Sequence, residues 1–249
     1  MFLSIIIPAY NERRKIARDI AAAAQFLAQE RMLGEIIVVD DGSEDDTATI
    51  AGNVSIPAST TLRVIRNAQH RGKGFAVRCG MLQARAPYVL FADSGLPVPY
   101  DHALLGLELL QNGSCELAHA SRRLPESIIH RAQPWQRRLF STFFRRLIIL
   151  FMKIPSRLSD TQCGFKLYRG EVARELYAPC FTEGFMFDIE IILRALQSGY
   201  RIAEFPVEWT CDPDSRLSVA RSPWHIVREL LAIKAKLGSD SVSRYNFEF

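Results

Sequence analysis

No apolar run in this chain reaches the ~18 uncharged residues that a membrane-crossing helix requires, which excludes a spanning helix. Met1 to Pro8 has no basic segment ahead of its apolar residues and is only about one strand long, so it does not read as a secretory leader. Cysteine is sparse: Cys79, Cys115, Cys163, Cys180 and Cys211 show no metal-type pairing, and the odd number argues against a disulfide framework. Such thiols fit a reducing cytosol, where they serve as small core hydrophobes. Charge of one sign is lacking too. The net charge of +4 is mild, and no nucleic-acid partner is expected. Internal repeats and low-complexity tracts are absent. What the chain has in quantity is hydrophobic residues, 48% of 249, enough for a sizeable core in one large domain or a domain with an extension.

Short apolar runs end in acidic clusters. Leu3 to Pro8 leads into Ala9-Tyr10-Asn11-Glu12, Glu35 to Val39 into Asp40-Asp41-Gly42-Ser43, and Tyr88 to Ala92 into Asp93-Ser94-Gly95. Runs of this length, rich in Ile and Val and bounded by turn residues, read as buried parallel strands. Between them, Ile16, Ile20, Ala24 and Leu27 recur at helical spacing, with Gly34 where that helix would end. Further helices are expected at Asp45 to Ala51, Gly74 to Arg85 and Asp101 to Gln111, and further strands at Leu62 to Ile65 and Cys115 to Ala120. This alternation predicts an α/β fold: a Rossmann-like, mostly parallel sheet flanked by helices and built of right-handed β-α-β units. Ligands of such sheets bind beyond the carboxyl ends of the strands. Three acidic clusters at three strand ends therefore predict one crevice with nucleotide, sugar or diphosphate chemistry.

The second half changes character. Gln136 to Ile154 mixes arginines with a dense apolar stretch. It reads either as an interfacial helix or as a core helix with exposed arginines. A helix is expected near Phe187 to Gln197, a strand near Arg201 to Trp209 and a last helix from Trp224 to Leu237. The expected organisation is a single domain over 1–237, with a nucleotide-binding half at 1–123, an acceptor half at 124–237 and a polar tail at 238–249.

Each motif has an ordinary reading beside the functional one. Asp40-Asp41-Gly42-Ser43 can be a turn and helix cap. Two adjacent carboxylates at a strand end repel, however, unless something binds there. Arg71-Gly72-Lys73-Gly74 is neither a P-loop nor a dinucleotide fingerprint, yet a glycine-flanked Lys before a helix suits a phosphate or a ribose edge. Asp93-Ser94-Gly95 resembles a DxD metal motif that lacks its second Asp. Ser121-Arg122-Arg123 and Ser215-Arg216 offer guanidinium groups for bidentate phosphate contact.

In order, these segments resemble the inverting glycosyltransferases of GT-A fold, above all the dolichyl-phosphate β-glucosyltransferases and dolichyl-phosphate mannose synthases. The resemblance rests on Ser4-Ile-Ile-Ile-Pro-Ala-Tyr-Asn-Glu12, Val38-Val-Asp-Asp-Gly-Ser43, Asn67 with Gly72-Lys-Gly74, Asp93, Ser121-Arg-Arg123, Asp160 to Tyr168 and Phe185 to Trp209. The string Asp160-Thr-Gln-Cys-Gly-Phe-Lys166 looks more like the glucosyl branch. The resemblance implies that Pro8, Tyr10, Glu12 and Asp41 hold the nucleotide, Lys73 lines its pocket, and Asp93 approaches the diphosphate and a Mg or Mn ion. It also implies that Arg122 and Arg216 neutralise phosphates and that Asp160 faces the acceptor. Asp93, Asp160 and Arg122 are the implied catalytic set. The implied reaction moves a hexose, with glucose from UDP-glucose the best single guess, to a polyprenyl or dolichyl phosphate. The implied place is cytoplasmic, peripheral on the cytoplasmic membrane face, with 136–153 as the membrane contact.

The chain departs from the family pattern where Gly95 replaces the second acid and Pro97 a metal-facing polar residue. Two other readings follow: a nucleotide-sugar-binding protein with impaired catalysis, and a transferase with a non-lipid acceptor.

Overall fold

The computed structural model describes residues 1–131, 146–211 and 223–237. Its first strands and helices are β1 (Leu3–Ala9), α1 (Ile16–Gln29), β2 (Gly34–Asp40), α2 (Thr47–Gly52), β3 (Thr60–Arg66), α3 (Lys73–Gln83) and β4 (Tyr88–Ala92). They are followed by α4 (Ala103–Gln111), β5 (Leu117–Ser121) and β6 (Ile128–Arg131). After α5 (146–152 among the described residues) come β7 (Phe165–Arg169), α6 (Gly170–Tyr177), α7 (Phe187–Gln197), β8 (Ile202–Pro206), β9 (Glu208–Thr210) and α8 (Pro223–Leu237).

Seven strands form one sheet in the order β3-β2-β1-β4-β7-β5-β8, and β6 pairs with β9 in a second small sheet. Strands β1, β2, β3 and β4 are mutually parallel, as are β5 and β8. β7 alone runs antiparallel, between β4 and β5. The mixed, mostly parallel sheet expected from the sequence is therefore present. Its apolar runs are continuous because both faces are covered. On β1, Leu3, Ile5 and Ile7 enter one buried cluster with Ile16, Ile20 and Leu27 of α1, while Ile6 enters the opposite cluster with Val77 of α3.

Several local expectations change. Gly34 does not end α1. It opens β2, where a Cβ would stand 2.8 Å from the Leu27 methyls and 2.9 Å from the Leu3 carbonyl oxygen. The single strand expected over Arg201 to Trp209 is two, because β8 belongs to the large sheet and β9 to the small one, with the break at Pro206–Val207. Helix α6 and strand β6 were not expected, although Val172, Ala173, Leu176 and Tyr177 recur at helical spacing and form the buried face of α6. Of the segment 136–153, only 146–153 lies within the described residues; the tail 238–249 lies outside them.

Parallel β1, β2 and β4 deliver their carboxyl ends to one edge. β5 is antiparallel to β7 and so runs with β4, bringing Ser121 to the same edge. Phe165 opens β7 opposite Ala92 at the end of β4, which carries the loop 160–164 to that edge as well. One reversed strand thus places a segment from the second half of the chain beside the acidic clusters of the first.

Candidate active site

The two adjacent aspartates after β2 are separated by their partners. Asp40 accepts hydrogen bonds from the Ser43 hydroxyl and from the Ser43 N–H at 3.2 Å, and the Arg66 guanidinium lies 3.5 Å away. Asp41 accepts from Asn67 Nδ2 at 2.9 Å, from Arg71 N–H at 3.1 Å and from Gly72 N–H at 2.7 Å, with His70 Nδ1 at 2.8 Å. What the sequence argument required to bind there is thus supplied by the protein itself. Asp41 organises the loop 67–72 that leads into α3. Tyr10, from the end of β1, stacks on His70 with ring centroids 3.8 Å apart and planes 20° from parallel. Pro8 pairs opposite Val39 on the neighbouring strand. Glu12 fastens this side, its N–H donating to Thr47 Oγ1 at 2.8 Å and its carboxylate 3.6 Å from Lys15. Pro8, Tyr10, Glu12 and Asp41 therefore gather at the carboxyl ends of β1 and β2.

Lys73 and Asp93 meet at the same edge of the sheet. Lys73 Nζ donates to Asp93 Oδ2 at 2.9 Å and lies 2.7 Å from Oδ1, above the Phe91 ring at 5.3 Å. The Asp93 N–H donates to the Gly164 carbonyl at 2.8 Å, and a Cβ on Gly164 would overlap the Asp93 carboxylate. Gly164 is therefore glycine because the loop must pass against that side chain. The next two residues are anchored from α1: Asp19, fully buried, accepts from Ser94 Oγ at 2.8 Å and from Gly95 N–H at 2.7 Å.

The same loop carries Asp160, which clamps Arg122. The guanidinium donates Nε to Oδ2 at 2.6 Å and an Nη to Oδ1 at 2.8 Å, and the Arg122 N–H adds a third bond at 3.1 Å. Burial alone would raise the Asp160 carboxyl, but the Arg122 charge and hydrogen bonds prevail and hold it at about 2. Arg122 is raised in turn: burial works against its charge, and the Asp160 carboxylate overcomes that. The loop is fixed from outside by Glu204, which accepts from the Asp160 N–H at 2.8 Å and the Ser159 N–H at 2.9 Å. From below, Lys166 donates to the Thr161 carbonyl at 3.0 Å and pairs with Asp188, both nearly fully buried. Burial raises Asp188, with the Lys166 charge pulling the other way.

Asp93, Asp160, Arg122 and Lys73 are thus brought together as two ion pairs joined by one loop. Arg216 lies outside the described residues. Sequence reasoning missed Asp19, Lys166, Asp188 and Glu204. The signal available for Asp19 was a lone carboxylate beside the apolar stripe Ile16-Ile20, and for Asp188 one of two acids, with Glu190, in the first turn of a helix rich in Ile and Leu.

A metal was expected at Asp93. Among the described residues no group of three His, Cys, Asp or Glu side chains is placed to hold an ion. Asp93 already faces the Lys73 ammonium, Gly95 offers no side chain, and the Ser94 hydroxyl is turned to Asp19. A single carboxylate shared with an ammonium does not fit a resident divalent ion, which takes a cage of several oxygens.

The sequence pattern of glycosyl transferase family 2 matches residues 4–177. The dolichyl-phosphate beta-glucosyltransferase of Drosophila melanogaster is 33% identical over 242 residues, covering 93% of this chain and 74% of that protein. Its counterpart in Saccharomyces cerevisiae is 30% identical over 252 residues, covering 94% of this chain and 74% of that one. Among solved structures, the glucosyl-3-phosphoglycerate synthase of Mycobacterium tuberculosis, in complex with Mn2+, uridine diphosphate and glucosyl-3-phosphoglycerate, superposes with a TM-score of 0.63. The two share 19% identity, and the match covers 95% of this chain and 80% of that one.

Proposed function

The chain belongs to glycosyl transferase family 2 and is a nucleotide-sugar glycosyltransferase of GT-A fold, and we propose that it moves glucose from UDP-glucose to dolichyl phosphate or another polyprenyl phosphate, with inversion at the anomeric carbon. The substrates follow from the dolichyl-phosphate glucosyltransferases it is similar to over nearly its whole length. The observation that carries the reading is the pair of cations, Lys73 and Arg122, held by Asp93 and Asp160 at the shared edge of the sheet.

Pro8, Tyr10, Glu12 and Asp41 line the nucleoside side of the donor site, Asp41 acting through the loop it organises. Lys73 meets the diphosphate. Arg122, and Arg216 with it, neutralises donor or acceptor phosphate. A phosphate oxygen of the acceptor attacks the anomeric carbon as the bond from that carbon to the diphosphate oxygen breaks, leaving UDP and a glycosyl lipid phosphate. The attacking oxygen is already anionic, so no proton has to be removed. The work of the site is alignment and stabilisation of negative charge on departing UDP, where preorganised cations act at no cost of reorganisation. Mg2+ or Mn2+, if recruited, comes with the diphosphate and finds Asp93 as its one protein carboxylate among the described residues. No step here depends on it. A lipid acceptor places the protein at the cytoplasmic face of a membrane, with 136–153 as its contact; Leu147 and Leu150 are exposed there.

The test is transfer of label from UDP-glucose to dolichyl phosphate, read as a glucolipid on extraction. Formation of that lipid, lost in Arg122→Ala, is the expected result. Absence of labelled lipid with every common UDP- and GDP-sugar overturns the reading. Calorimetric binding of UDP without turnover would make the chain a binding protein. Transfer to a water-soluble acceptor alone would replace the lipid.

A further inference from the structure

Helix α8 has two apolar faces. The inner one, Ile226, Leu230 and Ile233, is buried in the core that also takes Ile148 and Met152 of α5. The outer one consists of Trp224, Val227 and Leu231, which are 83%, 43% and 54% exposed. Their spacing of three and four residues, at about 100° per residue, sets them in one stripe along the helix. Arg228 flanks the stripe on one side and Lys234 on the other, with Lys236 at the helix end, all exposed. The single acid of α8, Glu229, is turned inward, accepting from the Gly184 N–H at 2.9 Å and the Met186 N–H at 3.2 Å.

Helix α5 lies alongside. Lys234 Nζ stands 3.7 Å from the centroid of the Phe151 ring. Leu147 and Leu150 are 53% and 79% exposed, between Arg146 and Lys153, which are exposed as well. An exposed apolar patch with a charged rim marks an interaction site, and here every outward charge on both helices is basic.

We propose that α8 and α5 form one docking face that lies flat on an anionic bilayer, with Trp224, Val227 and Leu231 in the interfacial region and the lysines and arginines reaching to lipid headgroups. The chemistry of the rim selects this occupant. Long basic side chains can bury their stems against lipid and keep the charge at the headgroups, and a tryptophan suits the same depth. A second copy of the chain would set basic rim against basic rim, which is repulsive. The inference adds α8, and a preference for anionic lipid, to the lipid-acceptor reading. It rests on that reading only for the expectation that a membrane is near.

The experiment is flotation of the full chain with phosphatidylcholine vesicles, with and without phosphatidylserine, in the absence of substrate. The chain should float with the phosphatidylserine vesicles and be released by salt. Combined Trp224→Ser, Val227→Ser and Leu231→Ser should weaken binding at least about tenfold, since each residue withdraws apolar area from lipid. Combined Arg228→Glu and Lys234→Glu should abolish the preference for phosphatidylserine. Because Trp224, Val227 and Leu231 face outward, the triple variant should keep the parent melting temperature and UDP affinity, and the double variant, which also gives up the Lys234–Phe151 contact, should keep UDP affinity, which separates loss of docking from loss of folding. Equal, negligible flotation on both vesicles overturns the proposal, as does a triple variant that floats like the parent. A dimer that the triple variant breaks, with no vesicle binding, assigns the face to a second copy and also overturns it. Vesicle binding without glucosyl transfer would count against the proposed function alone; transfer to a detergent-solubilised acceptor without vesicle binding would count against the docking face alone.

Discussion

The Lys73 ammonium lies 2.7 and 2.9 Å from the two carboxylate oxygens of Asp93, beyond the end of β4. The pair is partly open to solvent, with side-chain exposures of 18% and 29%. Under the proposed function, an incoming diphosphate would meet a cation already oriented by its carboxylate partner.

Lys73→Met should weaken UDP binding about ten- to a hundredfold, the loss of one charge-assisted hydrogen bond worth roughly 1.5–3 kcal/mol. Isothermal calorimetry measures it directly. An affinity within about twofold of the parent would remove Lys73 from the donor site.

With Lys73 in that place, UDP affinity should differ less than about threefold between EDTA and Mn2+. A tenfold or larger loss in EDTA would show that a metal is required. Gly95→Asp supplies the missing second acid and should make binding respond to Mn2+. Gly95 has φ 100°, so the variant should also melt lower, by the ~1–3 kcal/mol that such a backbone position costs a residue with a Cβ.

Asp160 ties pH to stability. Its carboxyl sits at about 2, held there by Arg122 against the opposing effect of burial. The ordinary unfolded value is about 3.9. A depressed folded value stabilises the protein above the unfolded value, and that stability is lost as pH falls from about 4 through 2. Denaturant midpoints across this window should show a loss of roughly 2 kcal/mol from this group in the parent. That increment should be absent in Asp160→Asn, which should also be less stable at neutral pH because Arg122 loses its partner. Parallel curves for the two proteins would contradict this account of the pair.

Gly164→Ala should act on Asp93. The added methyl overlaps that carboxylate and must displace it. Transfer, read as kcat/KM, should fall at least about tenfold, since Asp93 holds Lys73 and a ~1 Å misplacement at the site can cost that much or more. Unaltered kcat/KM would show that Asp93 need not occupy this position.

Much of this site was legible in the chain. Apolar runs ending in Glu12, Asp41 and Asp93 specified three parallel strand ends, because a strand buried on both faces is mostly apolar until it emerges. The helix at Phe187 to Gln197 was legible for the same kind of reason, its period matching the 3.6-residue turn. The supports were not. Asp19 and Glu204 act across long separations, 75 residues between Asp19 and Ser94 and 45 between Ser159 and Glu204, and no local pattern announces such pairings. Gly34 misled because a glycine after a helical stripe suggests a cap, whereas here the packing of Leu27 and the Leu3 carbonyl excludes a side chain.

By itself the sequence determined the α/β class, the parallel core and the edge at which polar groups collect, because periodicity and burial are local consequences of residue type. Only the tertiary structure decided what those groups do to one another. The reversal of β7 between β4 and β5 carries the loop 160–164 onto Asp93 and Arg122. Electrostatic partnership depends on distances of a few ångströms between segments far apart in the chain. That proximity turned a motif lacking its second acid into a lysine–aspartate pair beside the loop 160–164.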